Sequence, residues 1–366
     1  MSNVAEQWLR SGKAASIEGM KLRPLEFPGL KGTLLAPQGG QAQAFYLQDE
    51  NKLDWILKKF LPGKIPDGRY MNAVASLIPH RPGFQSGYLR RILSSLSVSR
   101  GGFFHPEFAS WIDRTVLMSR IKFGDWQELA DKIRQGTVMP SREARLSWCK
   151  ALSEQIGVLE GHQISHRDLS VKNVFVDVQN SLTHLIDWDC IFHPSLSMPV
   201  NTALGTEGYL APFVKNSSGE NLHATWVPRA DRFALAILNT EFLSMNVGSV
   251  FKHDGGMFEQ SELSQRGGPE TAAVVNILKN DFPDAAQLLE RALKARTFDD
   301  CPGPNEWQTM ASLAKSPSAR ATVAPAQGTA SAQPAVPPAS SLNSFSILDE
   351  SAFVELNQSV FASLIN

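Results

Sequence analysis

Three oxygen-bearing side chains lie close together near the middle of the chain: Asp168, Asn173 and Asp187. They occur in the segments HRDLSVKN at residues 166–173 and LIDWD at residues 185–189. Phosphoryl transfer from a nucleotide requires one carboxylate to receive the proton of the acceptor hydroxyl, and two oxygen ligands to hold Mg²⁺ against the phosphates. These three residues have the types that this chemistry requires, in a suitable order.

The flanking pattern indicates which elements would position these residues. Residues 142–162 carry apolar side chains at helical spacing, which predicts a helix that leads directly into the first segment. Residues 174–186 predict a short hairpin between the two segments. We therefore expect the second half of the protein to be helical around this hairpin.

Composition places further bounds on the protein. The chain has 366 residues, of which 43% are hydrophobic and 19% charged, as in ordinary globular proteins. A formal net charge of -1 gives no bulk electrostatic argument for binding nucleic acid or an anionic membrane. No apolar stretch has the length of a signal-peptide core or a membrane span, so we expect a cytoplasmic protein. The three cysteines are far apart, which favours buried or free thiols over a zinc site or disulfides.

The first part of the chain predicts a small antiparallel sheet. Residues 33–60 show the pattern strand, glycine turn, strand, turn, strand, with β-forming residues on either side of Gly39 and Gly40. Glycines allow backbone N–H groups to approach a triphosphate because no Cβ intervenes, so this turn is a candidate phosphate cover. The alternative is a plain hairpin turn. Of the neighbouring residues Lys58 and Lys59 on the third strand, only one can face such a site.

Four motifs in order carry a family resemblance. They are HRDLSVKN followed by VFVD, then LIDWD, then ALGTEGYLAPF at residues 203–213, and ADRFALAIL at residues 230–238. Together they resemble the protein-kinase superfamily, specifically bacterial kinases of eukaryotic type, over roughly residues 33–312. Four motifs in the right order are more specific than any one of them. The resemblance implies a two-lobed α+β fold, with a small β-rich N-lobe and a larger α-helical C-lobe.

The resemblance also implies roles for individual residues. Asp168 would be the catalytic base, and Asn173 and Asp187 would be ligands of Mg²⁺. Lys58 corresponds to the lysine that reaches the α and β phosphates of ATP. Asp231 would be a buried anchor for the backbone of the catalytic loop. ATP and Mg²⁺ are therefore the expected cofactors.

Further positions follow from the same resemblance. Met118 would line the back of the adenine pocket, and residues 119–121, ending at Ile121, would contact the nucleotide through their backbone. Ser170 replaces a lysine that serine/threonine kinases carry, whereas Lys172 falls where tyrosine kinases have an arginine. We therefore expect Lys172 to neutralise the γ-phosphate from the other side. Residues 109–129 read as two strands, a connecting hinge and the start of a helix.

Arg167 precedes the expected base. In related kinases such an arginine meets a phosphorylated residue, which makes Ser195, Ser197 and Thr202 candidate switch positions. The alternative is a loop that needs no phosphate. We expect Thr206 to form a hydrogen bond near Asp168.

The sequence departs from the kinase pattern at the expected partner of Lys58. Kinases usually pair this lysine with a glutamate on the next helix, but residues 61–106 contain a single acidic residue, Asp67. Gln85 offers a neutral substitute, or the partner comes from elsewhere in the chain. We expect helical structure at residues 68–78 and 84–96. Without the glutamate we expect Lys58 to be loosely aimed and the nucleotide affinity to be modest.

Other departures lie in the second half. Asp189 replaces a glycine of the metal-binding turn, so this turn is either stiffer or offers an additional carboxylate. Phe213 and Cys301 stand where kinases have a buried glutamate and its arginine. Because a lone buried charge would be unfavourable, losing both together indicates an adapted fold.

The domain organisation expected from these patterns has five parts. Residues 1–30 would be an extension lying on the first lobe, 31–121 the N-lobe and 122–314 the C-lobe. Residues 315–341 are rich in Pro, Ala and Ser and predict a disordered linker. Residues 342–366 are apolar again.

The apolar C-terminal segment has its own pattern. Apolar residues recur at helical spacing, so residues 346–366 predict an amphipathic helix. We expect it to dock on the kinase domain of the same chain or on a partner protein, because such a short helix is marginal in water without a surface.

The function expected from the sequence is an ATP- and Mg²⁺-dependent kinase that phosphorylates a protein hydroxyl, Ser or Thr more than Tyr. A small-molecule phosphotransferase similar to aminoglycoside or choline kinases shares the HxDxxxxN loop and the IDW[DE] segment, but lacks a peptide-docking segment of the type GTEGYLAP. A pseudokinase that acts as a binding module is the non-enzymatic alternative. It is motivated by the missing helix glutamate and by the glycine turn, in which Pro37 and Ala42 stand at two of the three glycine positions of the kinase pattern.

Overall fold

The computed structural model describes the following residues: 3–17, 19–26, 42–79, 81–84, 88–90, 102–199, 205–216, 219–220, 222–244 and 256–315. The turn at Gly39 and Gly40, the candidates Gln85 and Thr202, and residues 316–366 lie outside these ranges. The predictions for the phosphate cover and the C-terminal helix therefore stay predictions.

An antiparallel sheet dominates the first lobe. Its six strands are joined in the order β1-β2-β3-β4-β6-β5. The elements are α1 Asn3–Ser11, β1 Ala15–Ile17, β2 Met20–Pro24, β3 Ala42–Gln48, β4 Asp54–Phe60, α2 Gly68–Leu77, β5 Tyr88–Arg90, α3 Phe108–Ile112 and β6 Thr115–Ser119.

The two faces of this sheet have different environments. Strand alternation sends Leu57 to one face, where it joins a buried cluster that includes Trp8 of α1 and Phe108 of α3. Lys58 points to the opposite face, where its cross-strand partners are Ala44 on β3 and Val116 on β6. The face that carries Lys58 is therefore the one available to a ligand.

Three local expectations differ from the structure. Tyr88–Arg90 form a strand paired with β6, where we expected helix. Phe108–Ile112 form a helix, where we expected the first of two strands. Residues 15–24, assigned above to an extension, contribute β1 and β2 to the sheet itself. These segments are only three to five residues long, and the periodicity of so short a segment does not distinguish helix from strand.

The second lobe is mainly helical. Its elements are α4 Trp126–Arg134, α5 Arg142–Gly161, β7 Val174–Asp177, β8 Leu182–Leu185, β9 Lys215–Asn216, β10 Gly219–Glu220, α6 Arg232–Ser244, α7 Gln260–Ser264, α8 Pro269–Asp281, α9 Pro283–Lys294 and α10 Pro304–Lys315. Every residue of α6 from Phe233 to Ser244 is buried. This helix is the central element of the lobe and packs against α5, α8 and α9.

The elements predicted to position the catalytic loop are present. Helix α5 begins after Ser141, whose side chain accepts a hydrogen bond from the N–H of Ala144 at 3.1 Å, and ends just before the catalytic loop. The hairpin of β7 and β8 follows the loop. The structure thus confirms a two-lobed fold with a β-rich first lobe and a helical second lobe. Within the ranges given above, no helix combines the length and apolar character that crossing a bilayer requires.

Candidate active site

Asp231, just before α6, anchors the backbone of the catalytic loop, which is residues 166–173. Its carboxylate accepts hydrogen bonds from the backbone N–H of His166 at 2.6 Å and of Arg167 at 2.7 Å. The His166 ring contacts the carbonyl oxygen of Ile186 through Nε2 at 2.7 Å. Asp231 is 2% exposed. The predicted role of Asp231 as a buried anchor is confirmed.

The carboxylate of Asp168 is fixed on both of its oxygens. Thr206 donates from Oγ1 to Oδ1 of Asp168 at 2.7 Å, as predicted. Asn173 donates from Nδ2 to the backbone oxygen of Asp168 at 2.7 Å and to its Oδ2 at 3.1 Å. Burial raises the pKa of the Asp168 carboxyl, while these hydrogen bonds oppose that rise. The arrangement fixes the orientation of the carboxylate.

Asp187 lies beside this loop in an unusual backbone conformation. Its φ of 64° and ψ of 68° are in the left-handed region, which non-glycine residues rarely adopt outside special sites. The N–H of Ile186 donates to the carbonyl of Asn173 at 3.1 Å, which joins the two motif segments. The next residue, Trp188, is buried with its ring centroid 5.0 Å from that of His166. The turn is therefore held rigidly against the catalytic loop.

Lys58 reaches across from the sheet to this turn. Its Nζ donates to Oδ1 of Asp187 and to Oδ2 of Asp189, each at 2.6 Å. The neighbouring Lys59 points to the other face and donates to the carbonyl of Asp113 at 3.1 Å. The geometry thus brings Lys58, and not Lys59, to the site. The expectation that Lys58 is loosely aimed was wrong, because two carboxylates hold its ammonium group.

Helix α2 occupies the place of the helix that usually supplies the glutamate. Gly68–Leu77 contains neither Asp nor Glu, and Asp67 caps its N-terminus by accepting from the N–H of Arg69 at 2.8 Å. The hydroxyl of Tyr70 donates to the carbonyl of Ile191 at 2.8 Å. The helix therefore contacts the turn that follows Asp187 but offers no carboxylate to Lys58.

The expected nucleotide face includes Met118, on β6. Met118 is the cross-strand partner of Ile56, two residues before Lys58, and it packs beside Phe60 and Val116. Ile121 lies in the segment that joins β6 to α4 and is half-buried. Their contacts with adenine stay predictions.

One contact of the hinge segment was not predicted from the sequence. Asp125, just before α4, forms an isolated β-bridge with Phe175 of β7. This bridge joins the segment before α4 to the hairpin that follows the catalytic loop.

Lys172 lies apart from the cluster around Lys58. Its side chain is 62% exposed and its Nζ is 3.4 Å from Oδ2 of Asp125. Asp125 caps α4 by accepting from the N–H of Glu128 at 2.8 Å. The predicted contact of Lys172 with a γ-phosphate stays a prediction.

The residues expected to bind Mg²⁺ have suitable chemistry. Asn173 uses its amide nitrogen toward Asp168, which leaves the amide oxygen as the atom that can bind a cation. Mg²⁺ prefers oxygen ligands and is commonly held by one or two carboxylates together with substrate phosphates. Asp187 and Asn173 fit this pattern. In the part of the chain that the structure describes, no three His, Cys, Asp or Glu side chains converge in a way that could hold a metal ion without substrate.

A buried carboxylate behind the site was also missed. Glu241 of α6 is fully buried and accepts hydrogen bonds from the Tyr209 hydroxyl at 2.9 Å, Trp126 Nε1 at 2.9 Å and the N–H of Met257 at 3.0 Å. Burial raises the pKa of Glu241 to about 7, opposed by these donors. Glu241 thus links the GTEGYLAP segment to the start of α4. Nothing in the spacing of α6 distinguishes it from an outward-facing glutamate.

Arg167 is engaged within the protein. It is 4% exposed. Its guanidinium donates to the carbonyl of Thr225 at 2.9 Å, to Oγ1 of Thr225 at 2.7 Å and to the carbonyl of Cys190 at 2.9 Å. The guanidinium also lies 4.8 Å from the ring centroid of Trp226. This arrangement favours the alternative in which the loop needs no phosphate.

Apolar packing replaces the buried ion pair that is absent at Phe213 and Cys301. The ring of Phe213 meets that of Phe298 edge-on, with 4.9 Å between centroids. Cys301 is 2% exposed, and burial raises the pKa of its thiol to about 12. Neither position leaves a lone buried charge, as the sequence indicated.

Comparison with known families agrees with this geometry. The sequence model of the protein kinase domain matches residues 110–308, which is more than half of the chain. The chain belongs to the protein kinase family. Similar proteins include the liver/testis isoforms of the phosphorylase b kinase gamma catalytic chain from Mus musculus and Homo sapiens, each 24% identical over 193 residues. The alignments cover 49% of this chain and 46% of each relative, so the chain spans just under half the length of these relatives.

The matched kinase domain contains only part of the site. Asp168, Asn173, Asp187 and Thr206 lie within residues 110–308. Lys58 lies before the matched range. Its assignment to the kinase site therefore depends on its contacts with the turn after β8.

Proposed function

We propose that this chain is an ATP- and Mg²⁺-dependent protein kinase that phosphorylates Ser or Thr in preference to Tyr. The observation that carries this proposal is the convergence of Lys58, Asp187 and Asp168. The first two are in contact at 2.6 Å, and Asp168 is held by Asn173, whose carbonyl binds the N–H of Ile186 next to Asp187. These contacts support a role for Asp168 as the base and for Lys58 as the phosphate-binding cation of one site.

Each side chain has a distinct task in the proposed reaction. Asp168 accepts the proton of the attacking hydroxyl, and its bond with Thr206 keeps the carboxylate turned toward that hydroxyl. Lys58 compensates the charge of the phosphates, a contribution that grows in a partly buried site. Mg²⁺, held by Asp187 and Asn173, would neutralise the negative charge of the triphosphate during transfer. Lys172 would approach the γ-phosphate from the exposed side.

Two observations support a protein as the acceptor. The segment GTEGYLAP is anchored where a peptide would meet the base: Thr206 binds Asp168, and Tyr209 binds Glu241. Gly205 has a φ of 125°, and a Cβ there would lie 3.0 Å from the carbonyl of Arg167, so this approach requires glycine. The relatives are, by their name, catalytic chains of phosphorylase b kinase.

The cytoplasmic location stays a prediction from the sequence.

The test is transfer of labelled phosphate. The purified chain is incubated with γ-labelled ATP and Mg²⁺, with casein, with histone, and separately with an aminoglycoside and with choline. We expect label on the proteins, or on the chain itself, in phosphoserine or phosphothreonine. Label on the small molecules alone would support the small-molecule phosphotransferase. ATP binding without any transfer would support the pseudokinase.

A further inference from the structure

The turn after β8, at residues 187–190, supplies carboxylates that helix α2 lacks. Helix α2 carries no acid, yet Lys58 has carboxylate partners at 2.6 Å in Asp187 and in Asp189. We propose that Asp189 is the positioning residue that aims Lys58 at the phosphates, in place of an acid on α2. This inference rests on the proposed kinase function and identifies which residue maintains the geometry of the site.

The two carboxylates differ in what they can do. The side chain of Asp187 is 33% exposed, and it lies one residue after Ile186, which is bonded to Asn173. It can therefore turn toward a cation. The side chain of Asp189 is only 6% exposed. A carboxylate buried to this degree needs a cationic partner. Asp189 therefore stays paired with Lys58 when Asp187 turns to bind a metal ion.

The local structure explains why Asp189 can reach Lys58. Trp188–Cys190 form a single 3₁₀ turn directly after the left-handed Asp187. Trp188 fixes this turn by packing between His166, at 5.0 Å, and Phe84, at 6.1 Å between ring centroids. The 3₁₀ turn directs residue 189 back toward the sheet. Helix α2 supports the turn through the bond between Tyr70 and Ile191 rather than through a charge.

A double-mutant cycle tests this role without measuring turnover. ATP affinity is measured by calorimetry in EDTA and in Mg²⁺ for the wild type, Asp189→Asn, Lys58→Met and the double variant. We expect Asp189→Asn to weaken ATP binding about 10- to 100-fold, the usual effect of losing a residue that orients a ligand-binding group. The loss is the same with and without Mg²⁺, and the double variant binds no more weakly than Lys58→Met alone. In the comparison variant Asp187→Asn the loss is larger in Mg²⁺ than in EDTA, because Asp187 can act as a metal ligand only when Mg²⁺ is present.

Two results would overturn the proposal. Losses that add in the double variant would mean that Asp189 acts independently of Lys58. A loss confined to Mg²⁺ would make Asp189 a metal ligand. Asn keeps the size of Asp, and Asp187 still neutralises Lys58, so the variant should fold; if circular dichroism shows otherwise, Asp189→Ser replaces it in the cycle.

The same four proteins separate failure of this inference from failure of the kinase assignment. If the wild type binds no ATP, the proposed function fails. Thermal unfolding without nucleotide still reports on the pair, because two groups in contact give non-additive changes in the midpoint. If the changes in midpoint of the two single variants add up in the double variant, Asp189 does not hold Lys58, whether or not the protein binds ATP.

Discussion

The hydroxyl of Tyr209 lies 2.9 Å from Oε1 of Glu241, in the interior of the second lobe. Tyr209 belongs to the segment that would dock a peptide, and Glu241 belongs to the central helix α6. The same carboxylate accepts from Trp126 Nε1, at the first residue of α4. One buried acid therefore joins the segment GTEGYLAP to the first residue of α4.

This buried acid predicts a pH-dependent stability. The pKa of Glu241 is raised from 4.5 to about 7 in the folded protein, so between these values the folded state keeps a proton that the unfolded chain has lost. Stability contributed by this group is complete below pH 4.5 and falls as pH rises to about 7. We expect the unfolding free energy of the wild type, minus that of Glu241→Gln, to fall by about 3 kcal/mol across this range. Denaturant unfolding at several pH values measures it. A constant difference would contradict this assignment.

The neighbouring lysines of β4 offer a matched pair of variants. Lys58→Met should lower turnover roughly 100-fold or more, because it removes the cation that meets the phosphates. Lys59→Met should change turnover by no more than about threefold, because Lys59 points to the opposite face, toward the carbonyl of Asp113. Steady-state kinetics on both variants decide the matter. Greater damage from Lys59→Met would show that the register of the strand is displaced by one residue.

The contacts of Arg167 predict activity without phosphorylation of the loop. We expect Ser195→Ala and Ser197→Ala to keep turnover within about twofold, because both side chains are exposed and the guanidinium is engaged by Thr225 and Cys190. Arg167→Lys should lower the unfolding free energy by about 1–3 kcal/mol, because an ammonium group cannot reproduce these bonds. Turnover and chemical denaturation are the measurements. A large loss of turnover in either serine variant, together with phosphate on that serine in the wild type, would restore the phosphorylation switch.

The exposed Lys172 gives a further prediction. If it meets the γ-phosphate, Lys172→Ala lowers kcat at least about tenfold with little effect on ATP affinity, because its contribution is made during transfer. Lys150→Ala, an exposed lysine on α5 that pairs with Glu154, is the control. Equal kcat for the two variants would restrict the role of Lys172 to its contact with Asp125.

Much of the second lobe could be predicted from the sequence because its signals are local. Helix α5 spans twenty residues with a regular apolar stripe, and the catalytic loop has residue types at fixed spacing. The bonds of Asp231 and Thr206 follow from these motifs and were predicted correctly.

Other features depend on contacts between distant segments. The ion pair between Lys58 and Asp189 joins residues 131 positions apart, and only the packing of the 3₁₀ turn brings them together. Glu241 lies on a helix that is buried on all sides, so no amphipathic pattern identifies which way its carboxylate faces. Strands as short as β1 and β5 carry too few residues for alternation to be recognised.

The proposed function requires Asp168 to be the base of the phosphoryl transfer, and the variant Asp168→Asn removes that base. Turnover with labelled ATP, Mg²⁺ and a protein acceptor is measured beside ATP affinity, with Asp131→Asn, an exposed aspartate of α4, as the control. We predict that Asp168→Asn lowers turnover about 10²- to 10⁴-fold and changes ATP affinity by less than about threefold. The reason is that Asp168 would accept the proton of the acceptor hydroxyl but would not bind the nucleotide. Turnover equal to that of the wild type would show that Asp168 is not the base.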